Sequence, residues 1–228
     1  MEVTMPFSIT TIQLQQLAPK VGQEQAQDPN QVQALTDAIN ATMARFQIDQ
    51  EPRRVRYFVA QSLYETQGFT FWSENLNYTT PERLVTVWPS RFTMDPTHTN
   101  YAYAPDYINN PQKLANLVYA NRNGNGDADS GDGWAFRGHG GFHLTFRNNY
   151  AAYDKSVYGD GHIVANPELV GQPTDAFLSA GWFWDINGLN AHADADEFTV
   201  TTNIINGSTS TVPLRLPVLN AVNACLQW

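Results

Sequence analysis

Two stretches with an apolar residue every three or four positions most constrain the fold of this 228-residue chain. In the first stretch, residues 30–46, one face carries Val32, Leu35, Ile39, Met43 and Phe46. In the second, residues 52–66, one face carries Val55, Phe58, Val59, Ser62 and Leu63. This spacing predicts two helices that bury one side in a core. Asp28 and Pro29 are expected to start the first helix, and Gly68 to end the second.

Three further segments are predicted to be helical. Residues 174–184 follow Pro173 and are very apolar, so this helix is expected to be central. Residues 198–205 and 214–226 are the other two candidates, with Pro213 and Pro217 obscuring where the last helix begins.

A shorter helix is expected to begin near Pro81 and to end near Trp88. Two starts fit the sequence. Thr79 and Glu82 form a capping box, or Thr80 caps a helix whose first residue is Pro81. The pattern leaves both starts open.

Seven glycines between positions 121 and 141 predict a long loop with room for a small hairpin. A loop of this length in a compact domain is usually functional or disordered. Trp134 and Phe136 lie within it and Phe142 directly follows it, and these rings favour an ordered loop.

Composition narrows the class of ligand. Charged residues make up 15% of the chain, while Tyr and Trp number 10 and 6. Uncharged hydrogen-bonding groups beside aromatic rings suit a neutral, hydroxylated ligand such as a sugar. The net charge of −9 argues against nucleic acid, because phosphate binding needs clustered Lys and Arg. The length predicts one domain over residues 1–228, and we expect a monomer.

Cys225 is the only cysteine, so an intrachain disulfide is excluded and the fold must be stable in a reducing compartment. The first lysine is Lys20, so the start lacks the basic region of a secretory signal peptide. We therefore expect synthesis in the cytoplasm, no membrane span, and delivery to any target in the cell wall or periplasm by other means, either release by a holin or an unconventional export route.

No metal or cofactor is predicted. Residues 123–129 have some of the composition of a calcium loop, but Ser130 stands where an EF-hand needs Gly, and Phe136 stands where it needs the bidentate Glu. His139 and His143 are four positions apart, yet the glycines between them disfavour the helix that would align them on a metal.

Glu65 and Glu74 are candidates for a pair of catalytic carboxylates. Glycosidic bond cleavage needs a proton donor for the leaving oxygen and a carboxylate that activates water or attacks carbon. The turn at Gly68 permits Glu74 to fold back toward Glu65, to the roughly 6.5–9.5 Å of an inverting pair. The alternative is that Glu65 pairs with Arg56 while Glu74 is merely solvated.

Five groups of residues, in order along the chain, resemble glycoside hydrolase family 19, the chitinases and phage-type endolysins. They are Tyr64 to Phe69 with Glu74 to Tyr78, Gly124 to Asp127 with Gly131 to Trp134, Arg137 to Gly140 with Leu144, Thr145, Asn149 and Tyr150, Ser179 to Trp184 with Gly188 to Asn190, and Thr202 to Gly207. This resemblance spans about residues 9–226. It implies an α+β, predominantly α-helical, lysozyme-like two-lobed fold with a small β/loop lobe.

The resemblance also implies an inverting mechanism. Glu65 matches the general acid, Glu74 the base, and Thr145 the hydroxyl residue that holds the attacking water. Asn149 and Asn206 match amides that bind the N-acetyl sugar or support the acid. The other residues expected to bind substrate are Tyr78, Trp134, Arg137, His143 and Tyr150.

A general acid must remain protonated near neutral pH, so Glu65 needs an apolar site, which Phe69, Phe71 and Trp72 would supply. Glu74 is expected to be ionised and more exposed.

Two positions depart from the family pattern and bear on substrate preference. Tyr64 stands where the family usually has His, and His143 where it usually has Gln. We expect endo-acting cleavage of β-1,4 bonds in peptidoglycan, by an endolysin-like lysozyme. The alternatives are an endochitinase acting on chitin and a catalytically weak protein that binds wall glycan.

Overall fold

The computed structural model describes residues 6–21 and 29–228. The described chain forms two compact units. Unit 1 comprises residues 6–21, 29–72, His139–Leu144 and Glu168–Trp228, and unit 2 comprises Ser73–Gly138 and Thr145–Pro167.

Unit 1 is helical. Its α-helices are α1 (Thr11–Leu17), α2 (Pro29–Arg45), α3 (Pro52–Glu65), α9 (Pro173–Ile186), α10 (Leu189–Asp194), α11 (Phe198–Asn206) and α12 (Val212–Cys225). A short 3-10 turn, Ile48–Gln50, joins α2 to α3, and another, Pro167–Gly171, contributes its last four residues to unit 1.

The core of unit 1 lies where α2 packs against α9 and α3 packs against α12. Gly181 of α9 permits the first contact, because a Cβ at this position would stand 2.5 Å from the side chains of Thr42 and Phe46. Trp184, also on α9, is fully buried and packs edge-on against Phe58 of α3. The most apolar helix of the chain is therefore central, as the sequence predicts.

Unit 2 has shorter elements. Its α-helices are α4 (Pro81–Val87), α5 (Pro111–Val118), α6 (Asp132–Ala135), α7 (Arg147–Val157) and α8 (His162–Ala165). Its sheet consists of β1 (Phe92–Thr93) and β2 (Ala102–Tyr103), which run parallel with Phe92 opposite Ala102. The 3-10 turns are Ala104–Tyr107 and Ala128–Ser130. The buried side chains of its core are Leu76, Leu84, Phe92, Ala104, Leu114, Ala115 and Val118.

The main helix predictions are confirmed. On α2, Val32, Leu35, Ile39 and Met43 are buried, and Phe46 follows the helix end partly buried. Helix α3 ends at Glu65, and Gly68 after it has φ +78°. The proposed cap Asp28 lies outside the described residues.

The two possible starts of the short helix are resolved by α4. Thr80 is the N-cap residue and Pro81 is the first helical residue, although the Thr80 side chain makes no capping hydrogen bond. The capping box with Thr79 is therefore wrong.

The loop predicted for residues 121–141 is ordered, but it is not wholly irregular. Residues 132–135 form helix α6 within it. His139 pairs with Leu144 in an antiparallel bridge, so the chain reverses direction over six residues. Glycines make this reversal possible, because Gly140 has φ +83° and a Cβ there would stand 2.6 Å from Ser179 Oγ.

Candidate active site

Glu65 is the last residue of α3, and its carboxyl is paired with Arg215 of α12. The Arg215 Nη2 donates to Glu65 Oε1 in a short hydrogen bond. Arg215 is fully buried, whereas 17% of the Glu65 side chain is exposed. The guanidinium also lies 4.2 Å from the centre of the Tyr64 ring and donates through Nε to Thr211 Oγ1 at 3.0 Å. Glu65 is thus fixed at one oxygen and is partly exposed.

The surroundings expected for Glu65 are different from those observed. Phe69 stacks on Trp72 at 5.7 Å, and both rings pack edge-on against Phe177, so these two aromatics belong to the core of unit 1. Phe71 is 47% exposed. The prediction that these rings give Glu65 an apolar site is therefore wrong, because the described partner of the carboxyl is a cation.

The alternative pairing of Glu65 with Arg56 is also wrong. Arg56 donates to the carbonyl oxygens of Leu226 and Trp228, both at 2.9 Å, and its guanidinium lies 5.3 Å from the centre of the Trp228 ring. It therefore tethers the end of the chain.

A pocket of about 840 Å³ opens beside Glu65 within unit 1. Its lining is mostly apolar and comes from α1, α3, the turn that follows α3, and α12: Gln16, Leu17, Leu63, Tyr64, Glu65, Gln67, Gly68, Pro217, Val218, Ala221 and Cys225. This volume lies within the range of pockets that bind small organic ligands. Burial raises the pKa of the Cys225 thiol, which keeps this wall neutral near pH 7.

Glu74 lies in unit 2 and is held by neutral donors. The Gly138 N–H donates to Glu74 Oε1 at 2.7 Å, and the Tyr119 hydroxyl donates to Oε2 at 2.7 Å. The Glu74 N–H returns a bond to the Gly138 carbonyl at 2.9 Å. Burial, and then the Glu74 charge, raise the pKa of Tyr119, so its hydroxyl remains a donor. Glu74 is half-buried, less exposed than expected and not merely solvated.

Thr145 and Asn149 lie together at the start of α7. Asn149 Nδ2 donates to the Thr145 carbonyl at 2.8 Å, and Asn149 Oδ1 accepts from Asn123 Nδ2 at 3.1 Å. Phe146 between them has φ +77°, a conformation that a bulky residue rarely adopts. The structure brings these two predicted site residues together and fixes the amide of Asn149.

Trp134 and Arg137 form a stacked pair in unit 2. The Arg137 guanidinium lies 3.7 Å from the centre of the Trp134 ring, and its Nη1 donates to the Trp134 carbonyl at 2.9 Å. Trp134 is half-buried and sits on α6, not in a loop as expected. Arg137 is only 7% exposed, so its described role is to support Trp134. Tyr78 is half-buried, packs against Trp88 at 5.3 Å, and has a pKa raised by burial.

Tyr150 does not belong to the candidate site. It is fully buried, packs against Phe136 at 5.2 Å, and donates its hydroxyl proton to the Arg137 carbonyl at 2.8 Å. A ring without exposed surface cannot touch a bound glycan, so the expectation for Tyr150 is wrong and its role is packing.

His143 and Asn206 occupy conformationally special positions in unit 1. His143 has φ +50° in the reversal between Gly140 and Leu144. Asn206 is the last residue of α11, and it is exposed beside the cap residue Gly207, which has φ +71°. The Asn206 Nδ2 donates to the Ser208 carbonyl at 3.2 Å, and the rest of the amide is exposed.

The described residues contain one group of side chains with metal-ligand spacing: Asp154, Asp160 and His162. Asp154 accepts from three backbone N–H groups near the start of α8, at 2.7–3.1 Å. Asp160 accepts from His162 Nδ1 at 2.6 Å. These donors already satisfy the carboxylates, so the group stabilises the turn into α8.

Sequence reasoning missed Arg215 and Tyr119, the two side chains that hold the candidate carboxyls. A signal for Arg215 was present, because it is the only charged residue of the mostly apolar helix Val212–Cys225. A charge that is buried in such a helix must be paired. Tyr119 is one of ten tyrosines and carries no comparable signal.

Comparison with known proteins identifies the family of this chain. No protein-family model matches the chain. A Haemophilus influenzae protein described as a glycosyl hydrolase family 19 domain-containing protein is 30% identical over 200 residues, which cover 85% of this chain and 90% of that protein. This similarity makes the chain a glycoside hydrolase. It belongs to glycosyl hydrolase family 19.

Solved structures agree on the fold. Chitinase C from Streptomyces griseus superposes with a TM-score of 0.60 at 20% identity, covering 98% of this chain and 95% of that one. A bacterial family 19 chitinase, described as differing from the plant enzymes, gives 0.58 at 18% identity, covering 97% and 96%. The predominantly helical, lysozyme-like fold expected from the sequence is confirmed. Of the described helices, none is long and apolar enough to cross a membrane.

Proposed function

We propose that this glycoside hydrolase cleaves β-1,4 bonds within peptidoglycan strands, with inversion, using Glu65 as general acid and Glu74 as general base. The observation that carries the proposal is the Glu65 carboxyl, which is fixed at one oxygen by a buried arginine and borders a pocket of about 840 Å³. We propose further that residues 1–228 work as one catalytic domain, as a monomer and without a cofactor.

Arg215 determines where the acid carries its proton. A guanidinium has donors only, so the oxygen that faces it, Oε1, must accept. The proton of neutral Glu65 therefore resides on Oε2. From there it passes to the glycosidic oxygen as the bond to the leaving sugar breaks.

Glu74 is suited to the opposite role. Its two oxygens accept from Gly138 and Tyr119, and a carboxylate oxygen has a second lone pair for a further donor. Both of these donors are neutral, and together they orient the carboxylate. In our proposal it removes a proton from the attacking water, which the Thr145 hydroxyl helps to hold, while Asn149 and Asn206 bind the N-acetyl groups.

The pocket supports peptidoglycan as the substrate. Glycan chains of peptidoglycan differ from chitin by the lactyl group and stem peptide on alternate sugars. The apolar walls formed by Leu17, Val218 and Ala221 suit the methyl groups of such substituents, and the amides of Gln16 and Gln67 suit peptide groups. We propose accordingly that the enzyme acts on the cell wall or periplasm.

Chitin is the second candidate substrate. Two solved structures of similar fold are described as chitinases, and chitin presents the same N-acetylglucosamine units as peptidoglycan. The candidate residues for acid, base and water serve both polymers equally. The pocket is the feature that distinguishes the two proposals.

The first experiment measures reducing-end release from purified peptidoglycan and from chitin oligomers. Glu65→Gln keeps the shape of the acid and removes its proton, and we expect a loss of about 10²–10⁴ in rate. Glu82→Gln on the exposed surface of α4 is the matched control and should retain full rate. Wild-type protein that binds wall glycan without releasing reducing ends would overturn the hydrolase mechanism and indicate a binding protein.

A second experiment tests the substrate. Ala221→Trp narrows the pocket, and Ala224→Trp adds the same ring to an exposed position of the same helix outside it. We expect the first substitution to slow cleavage of peptidoglycan with stem peptides and to spare chitin oligomers. Equal slowing on both substrates, or activity on chitin alone, would favour the endochitinase.

A further inference from the structure

A buried row of uncharged groups lies behind Arg215. Arg215 Nη1 donates to Gln61 Oε1 at 2.6 Å. Gln61 Nε2 then donates to Thr202 Oγ1 at 2.9 Å and to Thr201 Oγ1 at 3.3 Å. Gln61, Thr201, Thr202 and Arg215 are all 0% exposed. Side-chain hydrogen bonds therefore link α3, α11 and α12 within unit 1.

Arg215 at one end of this row and Thr201 at the other determine which atoms of Gln61 donate and which accept. Arg215 has only donors, so the group facing it must accept. The Thr201 hydroxyl donates its proton to the Phe198 carbonyl at 2.8 Å. A lone pair of the hydroxyl oxygen therefore remains to accept from Gln61. An amide in one orientation meets both demands, because it accepts at its oxygen and donates at its nitrogen. The position thus requires an amide rather than any polar residue.

We propose that Gln61 is a positioning residue for the acid. Gln61 holds Arg215, and Arg215 in turn holds the Oε1 atom of Glu65. The carboxyl therefore keeps one orientation, and the proton on Oε2 points one way. Gln61 also ties α3, which ends at Glu65, to α11, which ends at Asn206. One glutamine therefore sets the acid relative to an amide that we assign to the sugar. This inference rests on the proposed role of Glu65.

Because this row is uncharged, adding a charge to it makes the inference testable. The ionisable groups at this corner are Arg215 and Cys225 from α12 and Tyr64 and Glu65 from α3, while the described contacts from α1 and α11 are amides and hydroxyls. Gln61→Glu keeps an acceptor for Arg215 and adds a negative charge. Arg215 would then be shared by two carboxyls and would attract the charge of Glu65 less.

The experiment records kcat and KM on peptidoglycan over a range of pH for wild type, Gln61→Glu and Gln61→Met. For Gln61→Glu we expect the alkaline limb of the kcat profile to move to higher pH. For Gln61→Met we expect kcat to fall about 10- to 100-fold, the cost of a small misplacement of a reacting group, with KM nearly unchanged. Gln33→Met, on the exposed face of α2, is the control.

A purely structural role for Gln61 would lower the melting temperature and the amount of active enzyme but leave the pH profile in place. An unchanged profile in Gln61→Glu would overturn the inference, even if Gln61→Met failed to fold. Absence of hydrolysis by wild-type protein would instead overturn the proposed function, so the two failures are distinguishable.

Discussion

Glu65 and Glu74 are two carboxyls that this fold holds with different kinds of hydrogen-bond donor. Glu65 contacts a fully buried guanidinium from a helix 150 positions further along the chain. Glu74 accepts from a backbone N–H and from a tyrosine hydroxyl, both neutral. A buried charge is costly to leave unpaired, whereas a neutral donor costs less. The comparison predicts that the surroundings of Glu65 tolerate change less well than those of Glu74.

The largest effect is expected from Arg215→Met. Removing one partner of a buried pair costs about 3–5 kcal/mol in the free energy of unfolding. Urea titration measures this loss. Arg54→Met is the control, because Arg54 pairs with Asp194 in a more exposed setting, where such pairs are worth about 0–1 kcal/mol. Similar losses in the two variants would contradict the distinction between buried and exposed cations.

A smaller loss is expected from Tyr119→Phe, which deletes the 2.7 Å hydrogen bond to Glu74 and keeps the ring. A hydrogen bond to a charged group contributes about 1.5–3 kcal/mol. The same titration applies, with Tyr101→Phe as a more exposed control. If both variants lose equally little, Tyr119 does not hold Glu74 in solution.

The smallest effect concerns a third carboxyl, Asp132, to which we assign no chemistry. Hydrogen bonding from Arg147 lowers the pKa of Asp132. This contribution to stability is therefore fully present above the unfolded value of about 3.9, and it is lost as the pH falls through the folded value. The melting-temperature difference between wild type and Asp132→Asn should be constant from about pH 7 to about pH 5 and should shrink in more acidic solution. A difference independent of pH would exclude the ion pair as its source.

The sequence predicted those helices whose buried residues recur at helical spacing and form one apolar face. Helices α2 and α3 show one, and their bounds matched closely. Helix α7 was not predicted, because its buried residues are Tyr150, Tyr153 and Asp154 in an otherwise polar segment. Helix α5 was also missed, although Asn110 caps it and Pro111 is its first residue, the same kind of start signal that predicted α4.

The site was predictable to the same extent. A local pattern placed Glu65 at the end of α3, and the family resemblance indicated the other candidates. The partner of Glu65 depends on how α12 packs against α3. No local sequence pattern predicts this packing. For the same reason Phe69 and Trp72 were assigned to Glu65, although they pack on Phe177.

The separation of 150 positions between Glu65 and Arg215 also has a consequence during translation. A ribosome adding about 5–20 residues each second needs about 8–30 s to proceed from one to the other. Throughout this interval α3 exists without the cation that orients its terminal carboxyl. Contacts of such long range slow folding as well. Glu65 therefore acquires this partner only after Arg215 has been synthesised, 150 residues after Glu65 itself.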